Sequence, residues 1–230
     1  MSSPNSQANA ILSRLPAEQA AAIHAAGRLV ALDPGKVLHS FGQPTTSLYF
    51  PLDGVVSLTI PVNGDQNVEV ALVGPAGMVG IGALMGNERR DLEAMAQVRG
   101  SAWELAVADL TPAIREALTT FVARYAASLM IEIAQTAGCN RLHSVEQRTA
   151  RWLLQAAHHA QRDEIELTHE FLAMMLAVRR ASVTVVVGVF NRAGLLRAER
   201  GRISVGDREG LLDVACECYE VIEAAAPLYD

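Results

Sequence analysis

Hydrophobic and polar positions fall into blocks of different period. Residues 10–32 read as a short helical lead-in, with Ile11, Leu15, Ile23 and Leu29 spaced among alanines. After "DPGK" at 33–36 the period shortens towards two and stays there from Val37 to Leu105. "VVSLTI" (55–60) and "NVEVAL" (67–72) flank the turn "VNGD", and "AMAQV" (94–98) and "AWEL" (102–105) flank "RGS". Short strands between Gly- and Pro-containing turns predict a small antiparallel β-barrel or jelly roll. The glycine-rich stretch "LVGPAGMVGIGALMG" (72–86) interrupts it.

A helical period then takes over. Thr111 caps an element with Pro112 in its first turn, and Ile114, Leu118, Phe121 or Val122, Tyr125, Leu129 and Ile133 recur at helical spacing. Gly138 and Asn140 are expected to end this long helix. Its apolar stripe is either a core face or a coiled-coil seam between subunits; the seam is favoured, because a lone barrel offers little surface to cover so long a helix. A second helix is expected from about Ser144 to His159.

"LTHEFLAMMLAVRRASVTVVVGVFNRAGLL" (167–196) holds two helical patterns separated by almost nothing. Thr168 is placed to cap the first, with Phe171, Leu172 and Met175 or Leu176 on one face; Val183, Val186 and Val187 repeat in the second. So short a joint, at Ala177 and Val178, forces a steep crossing, with Ala173 as the small residue at the contact. Ala177 must visit positive φ, where glycine is preferred, at a penalty of about 1 kcal/mol. This is the spacing of a helix-turn-helix. Arg179, Arg180, Ser182 and Thr184 then project from the end that enters a DNA major groove, against the helix dipole, which points to an anionic partner. "RAERGRISV" (197–205) follows as a basic hairpin with Arg200, Gly201 and Arg202 at its tip, a wing able to hold phosphates.

Charge sharpens this picture. The net charge of −6 conceals a basic third: residues 140–205 carry ten arginines against six carboxylates. Eighteen of the nineteen basic residues are arginine, which suits bidentate phosphate or base contacts and equally reflects codon usage. With 230 residues and 50% hydrophobic content the chain is sufficient for two domains. Its apolar runs are broken by Gly and Pro, so no membrane segment is expected, and the amino terminus lacks the pattern of an export signal, so a cytoplasmic location is expected.

The fold class is therefore α+β: an effector domain over 1–110, a dimerisation helix over 111–140 and a winged helix-turn-helix over 141–230. That order, with "LTHEFLAMMLAVRRASV" and "RAGLLRAERGRISV", resembles the bacterial Crp-Fnr superfamily of transcription factors. The resemblance implies a cyclic-nucleotide-binding-like barrel, a homodimer paired through the long helix, a two-fold symmetric double-stranded DNA operator, an unknown small-molecule effector, and RNA polymerase as a further partner. It places DNA contacts at Thr168, Arg179, Arg180, Ser182, Thr184, Arg200 and Arg202, and effector contacts at Gly77, Gly80, Gly82, Arg89 and Arg90.

The chain departs from the family pattern at both sites. Arg180 matches the recognition helix, but Ala181 and Val185 stand where well-known members carry Glu and Arg, so a different operator is expected. In the barrel, the ribose-binding Glu position falls near Gly82 and the phosphate-binding Arg position near Glu93 or Ala94; Ile133 and Ala134 stand where adenine is met. Cyclic AMP is not expected to bind with useful affinity.

No cofactor or metal is implied. No cysteine precedes Cys139, which excludes the amino-terminal iron–sulfur arrangement of oxygen-sensing relatives. Cys216 and Cys218 are expected to be structural, since residues two apart on a helix face different ways; a disulfide framework is improbable, and a thiol sensor is the minority reading. His158 and His159 are expected to be solvated. An enzyme is disfavoured, with no nucleophile beside a base, no metal triad and no phosphate loop. The rival function is a barrel sensor acting through protein partners, its carboxy-terminal domain a docking module that does not bind DNA.

Overall fold

The computed structural model describes residues 9–62, 66–87 and 92–226. The helical lead-in is shorter than expected: α1 (Ala17–Ala26) stops, and Arg28–Leu32 form strand β1. At Gly27 the chain passes so close to Trp103 that an added Cβ would lie 2.3 Å from its indole nitrogen. Beyond it β1 pairs antiparallel with Gly100–Glu104, and Leu32 enters the core. Tertiary pairing overrides the alanine-rich local preference here.

Strands β2 (Val37–His39), β3 (Ser47–Val62), β4 (Gln66–Val73) and β5 (Glu93–Ala106) complete one antiparallel sheet, ordered β1-β5-β3-β4 with β2 also on β5. The two strands expected at 94–98 and 102–105 are thus one, and "RGS" is a bend rather than a hairpin turn. At the bend Gly100 crosses Gly54 of β3: a Cβ on Gly100 would sit 2.4 Å from the Asp53 carbonyl oxygen, and one on Gly54 (φ 77°) 2.6 Å from that of Val98. Asp53 Oδ1 fixes the crossing by accepting bonds from Ser101 N at 2.7 Å and Ser101 Oγ at 2.6 Å. Register shifts around Asp53 fold the sheet over a core containing Phe50, Val56, Ala96 and Leu105. The tip of the β3–β4 hairpin, expected at "VNGD", falls largely at 63–65, outside the described residues.

Helix α2 (Pro112–Leu142) starts as expected, with Thr111 Oγ1 accepting a bond from Ile114 N at 3.2 Å. Gly138 and Asn140 do not end it. Cys139 between them is buried, and the helix continues to Leu142, so packing outweighs glycine's propensity penalty of about 1 kcal/mol. The predicted apolar stripe is a core face, not a seam: Ile114, Leu118, Val122, Tyr125 and Leu129 all join the barrel's core. The barrel supplies enough surface because its glycine-rich loop closes onto the helix, with Gly77 so near Tyr125 that a Cβ would lie 2.7 Å from the ring. On the opposite side Thr120, Ala123, Ala127, Met130, Ala134 and Ala137, three and four residues apart, are exposed. By length and apolarity α2 would also suffice to cross a bilayer, a property not anticipated from the broken apolar runs.

Helix α3 (Val145–Ala160) opens in a reciprocal cap, Ser144 Oγ accepting from Gln147 N at 3.3 Å and Gln147 Oε1 accepting from Ser144 N at 3.1 Å. Its Trp152 packs with Val55, Leu72, Met95 and Val98 in a second core, which docks the carboxy-terminal domain on the outside of the barrel. His158 is exposed, but His159 is not solvated as expected. It is enclosed beside Gly74, and burial lowers its pKa to about 4.

Candidate nucleic-acid interface and barrel cavity

After β6 (Glu164–Glu166), Thr168 caps α4 (His169–Met175), its Oγ1 accepting from Phe171 N at 3.2 Å. The chain turns through Ala177, with φ at +50° as the sequence requires, and enters α5 (Arg180–Arg192) at 111° to α4. Ala173 is buried at the crossing, and its carbonyl accepts from Val178 N at 3.0 Å. Val183, Val186, Val187 and Phe190 bury the inner face of α5. Gly194 (φ 77°) then releases the chain into β7 (Leu196–Glu199) and β8 (Arg202–Val205), which pair with β6 in a three-stranded wing.

Arg179 and Arg180 are exposed at the start of α5, where no side chain caps the helix. Free backbone N–H groups and two guanidinium groups therefore share one end, an arrangement that attracts phosphate. Arg180 Nε lies 3.5 Å from Glu170 and Arg202 Nη1 3.8 Å from Glu164; all four side chains are mostly exposed, so these pairs are weak and exchangeable. Arg200 is exposed at the wing tip and Ser182 is half-buried. The Thr184 hydroxyl is already engaged, donating to Arg180 O at 3.1 Å and lying 3.1 Å from His169 Nδ1. It stiffens the joint between the two helices. Sequence reasoning placed Val185 at a reading position but missed the apolar patch it forms with Val189: the two are 64% and 43% exposed, one turn apart on the outward side of α5. The missed signal was a pair of β-branched residues off the buried stripe.

Arg179, Arg180 and Ser182 also line a cleft of about 900 Å³ together with Asn67 and Val68 of β4. The reading end of α5 thus faces the barrel in this conformation.

Within the barrel, a cavity of about 190 Å³ is lined by Gly80 and Gly82 with Leu58, Met78, Ile81 and Leu92 among others. His39 is its sole titratable lining residue among those described, and its Nε2 is 2.9 Å from Ser47 O. Ala94 lines the wall where a phosphate-binding arginine was sought. Gly77 does not reach this cavity and instead packs under Tyr125, while Arg89 and Arg90 lie outside the described residues.

The cysteines differ most from expectation. Cys216 precedes α7 (Cys218–Ala224), and extended Ala215 separates it from α6 (Arg208–Val214), so the pair does not share a helix. Both thiols are buried, and both turn towards Cys139 at the end of α2.

A winged helix-turn-helix carried on a long helix from a jelly-roll barrel defines a DNA-binding transcriptional regulator. Two family models match the chain, the cyclic nucleotide-binding domain over residues 29–117 and the Crp-like helix-turn-helix domain over residues 147–214. The chain belongs to the Crp-Fnr family of transcriptional regulators. No curated protein sequence matches it. Solved structures share the fold. A Crp/Fnr-family transcriptional regulator from Thermus thermophilus has a TM-score of 0.64 at 24% identity, over 82% of this chain and 98% of that one. The c-di-GMP-responsive global regulator CLP of Xanthomonas campestris has 0.64 at 15%, over 84% and 100%. FixK2 from Bradyrhizobium japonicum has 0.66 at 14%, over 83% and 98%.

Proposed function

We propose that the protein acts as a homodimer that reads a two-fold symmetric operator, with α5 in the major groove and the β7–β8 wing on the adjacent backbone. The observation that carries this is the uncapped start of α5, where Arg179 and Arg180 stand exposed above a turn built at Ala177. Phosphate contacts are assigned to Thr168, Ser182, Arg200 and Arg202, and base contacts to Arg180 with Val185, an apolar surface suited to a thymine methyl. Pairing is assigned to the exposed face of α2, where small residues around Met130 repeat at coiled-coil spacing. The divisions 1–110, 111–140 and 141–230 then correspond to control, pairing and reading. RNA polymerase as a further partner, a cytoplasmic location and the absence of catalysis belong to the same reading.

Control is a two-state equilibrium. With the start of α5 turned towards β4, the head must swing before both copies reach successive grooves. The barrel cavity is assigned to a small, mostly apolar effector rather than to cyclic AMP, since no described lining residue offers a positive guanidinium to a cyclic phosphate.

The test is to sequence genomic fragments retained by the purified full chain, then titrate one such fragment at several salt concentrations. Specific retention with a steep salt dependence supports this reading. No DNA affinity at low salt refutes it and leaves the protein-docking alternative.

A further inference from the structure

Four side chains outside the reading head and the barrel cavity converge on one point. Cys139 is buried on α2, and His143 follows one turn later as that helix's C-cap. Cys216 and Cys218 arrive from the α6–α7 connection, far along the chain. Their ligand atoms all lie within 4.8 Å of one another. Cys139 Sγ is 3.5 Å from Cys216 Sγ, and Cys218 Sγ is 3.4 Å from His143 Nδ1.

These separations discriminate between uses of the cluster. Metal–sulfur bonds of about 2.3 Å and metal–nitrogen bonds of about 2.0 Å in a tetrahedron put sulfurs about 3.8 Å apart and sulfur about 3.5 Å from nitrogen. Both separations fit ligands of one enclosed ion, and the remaining pairs lie within 4.8 Å. An iron–sulfur cluster places a cage of iron and sulfide between its ligands and holds ligands on different irons farther apart than 4.8 Å, so the spacing does not fit.

The surroundings match as well. His143 Nε2, the nitrogen turned away from the cluster, lies 3.2 Å from Glu217 Oε1. A carboxylate there accepts the Nε2 proton and leaves the Nδ1 lone pair facing inward, the usual support for a metal-binding histidine. Gln135 Nε2 donates to Cys218 Sγ at 3.2 Å, a bond that a thiolate accepts better than a thiol. The buried Arg151 of α3 places a positive charge close to Cys139. Three thiolates, a neutral histidine and a divalent cation leave one net negative charge, which Arg151 offsets.

We infer that Cys139, His143, Cys216 and Cys218 form a closed tetrahedral site for one thiophilic divalent ion of the zinc class, clipping the end of α2 to the α6–α7 segment of the DNA-binding domain. The inference stands on this cluster alone and does not require the DNA-reading assignment.

Cobalt(II) is the probe, added to the reduced, metal-stripped full chain. The expected result is one equivalent per chain, with sulfur-to-cobalt charge-transfer bands and the intense visible bands of tetrahedral cobalt, discharged by one equivalent of zinc. Glu217→Gln, at a mostly exposed side chain that leaves the core intact, is expected to weaken binding about 10- to 100-fold. Cys216→Ser is expected to weaken binding and to lower the charge-transfer intensity per bound cobalt, since two of the three sulfur ligands remain. Three freely titrating thiols in the presence of cobalt would overturn the site. So would octahedral spectra, or binding unchanged in Cys216→Ser. A Cys139–Cys216 disulfide that forms while zinc is present in excess would equally overturn it.

Discussion

Trp152 of α3 donates its indole N–H to Glu69 of β4 across 2.6 Å, joining the DNA-binding domain to the barrel through a buried hydrogen bond. Ser57 Oγ donates to the other carboxylate oxygen at 2.5 Å. Burial raises Glu69 to about 8 from 4.5, opposed by the Ser57 and Trp152 bonds and the Arg151 charge and aided by Glu132. Because the folded pKa lies above the unfolded one, the folded state holds the extra proton between these values. Glu69's contribution to stability is therefore complete below about pH 4.5 and is lost as pH rises to about 8. Glu132, raised by burial to about 7, acts in the same direction. His159 acts oppositely: its pKa is lowered from 6.5 to about 4, so its contribution is present above 6.5 and lost as pH falls towards 4. Denaturant unfolding of the wild type and Glu69→Gln across this range should show the variant losing less stability on the alkaline side, by a few kcal/mol. Parallel curves would remove Glu69 from this account.

The left-handed residue of the helix-turn-helix gives a second test. Ala177 holds φ at +50° on an exposed turn. Ala177→Gly should raise stability by about 1 kcal/mol, read as a higher urea midpoint at unchanged slope. A lower midpoint would mean that the alanine methyl is needed in the turn.

DNA recognition divides by residue type. Arg202→Ala should weaken all sequences about equally and lower the salt slope by about 1, as one lost phosphate contact does. Val185→Ser should leave the slope alone and reduce discrimination at one base pair by about 1 kcal/mol. Binding isotherms on a retained fragment and its point variants separate the two behaviours.

The pairing face is tested at Met130, which is 70% exposed. Met130→Glu should preserve the circular dichroism spectrum while shifting sedimentation from dimer to monomer and reducing operator affinity at least tenfold. An unchanged dimer would move pairing to another surface.

The reading head was legible in the sequence because its determinants are local. A cap at Thr168, a short turn at Ala177 and a valine stripe can be read from neighbouring positions, and the structure realises each. The barrel was legible as a class but not in its connections: the Gly54–Gly100 crossing joins distant segments, so "RGS" looked like a hairpin turn. The use of α2's apolar stripe was misread for a similar reason. Periodicity reports that Leu118 and Tyr125 share a face, not whether a barrel or a second subunit covers it. The cysteine cluster was invisible because spacing along one element says nothing of Cys139 meeting Cys216, 77 positions later.

His143 and Ser144 alone separate α2 from α3, and neither is spare: the His143 N–H bonds Cys139 O at 3.1 Å, and Ser144 completes the α3 cap. A coupling without slack transmits angle instead of absorbing it. Inserting a single amino acid there would turn the head about 100° in phase with the helix repeat. Length variation between homologues should accordingly gather in the barrel's loops and avoid this two-residue joint.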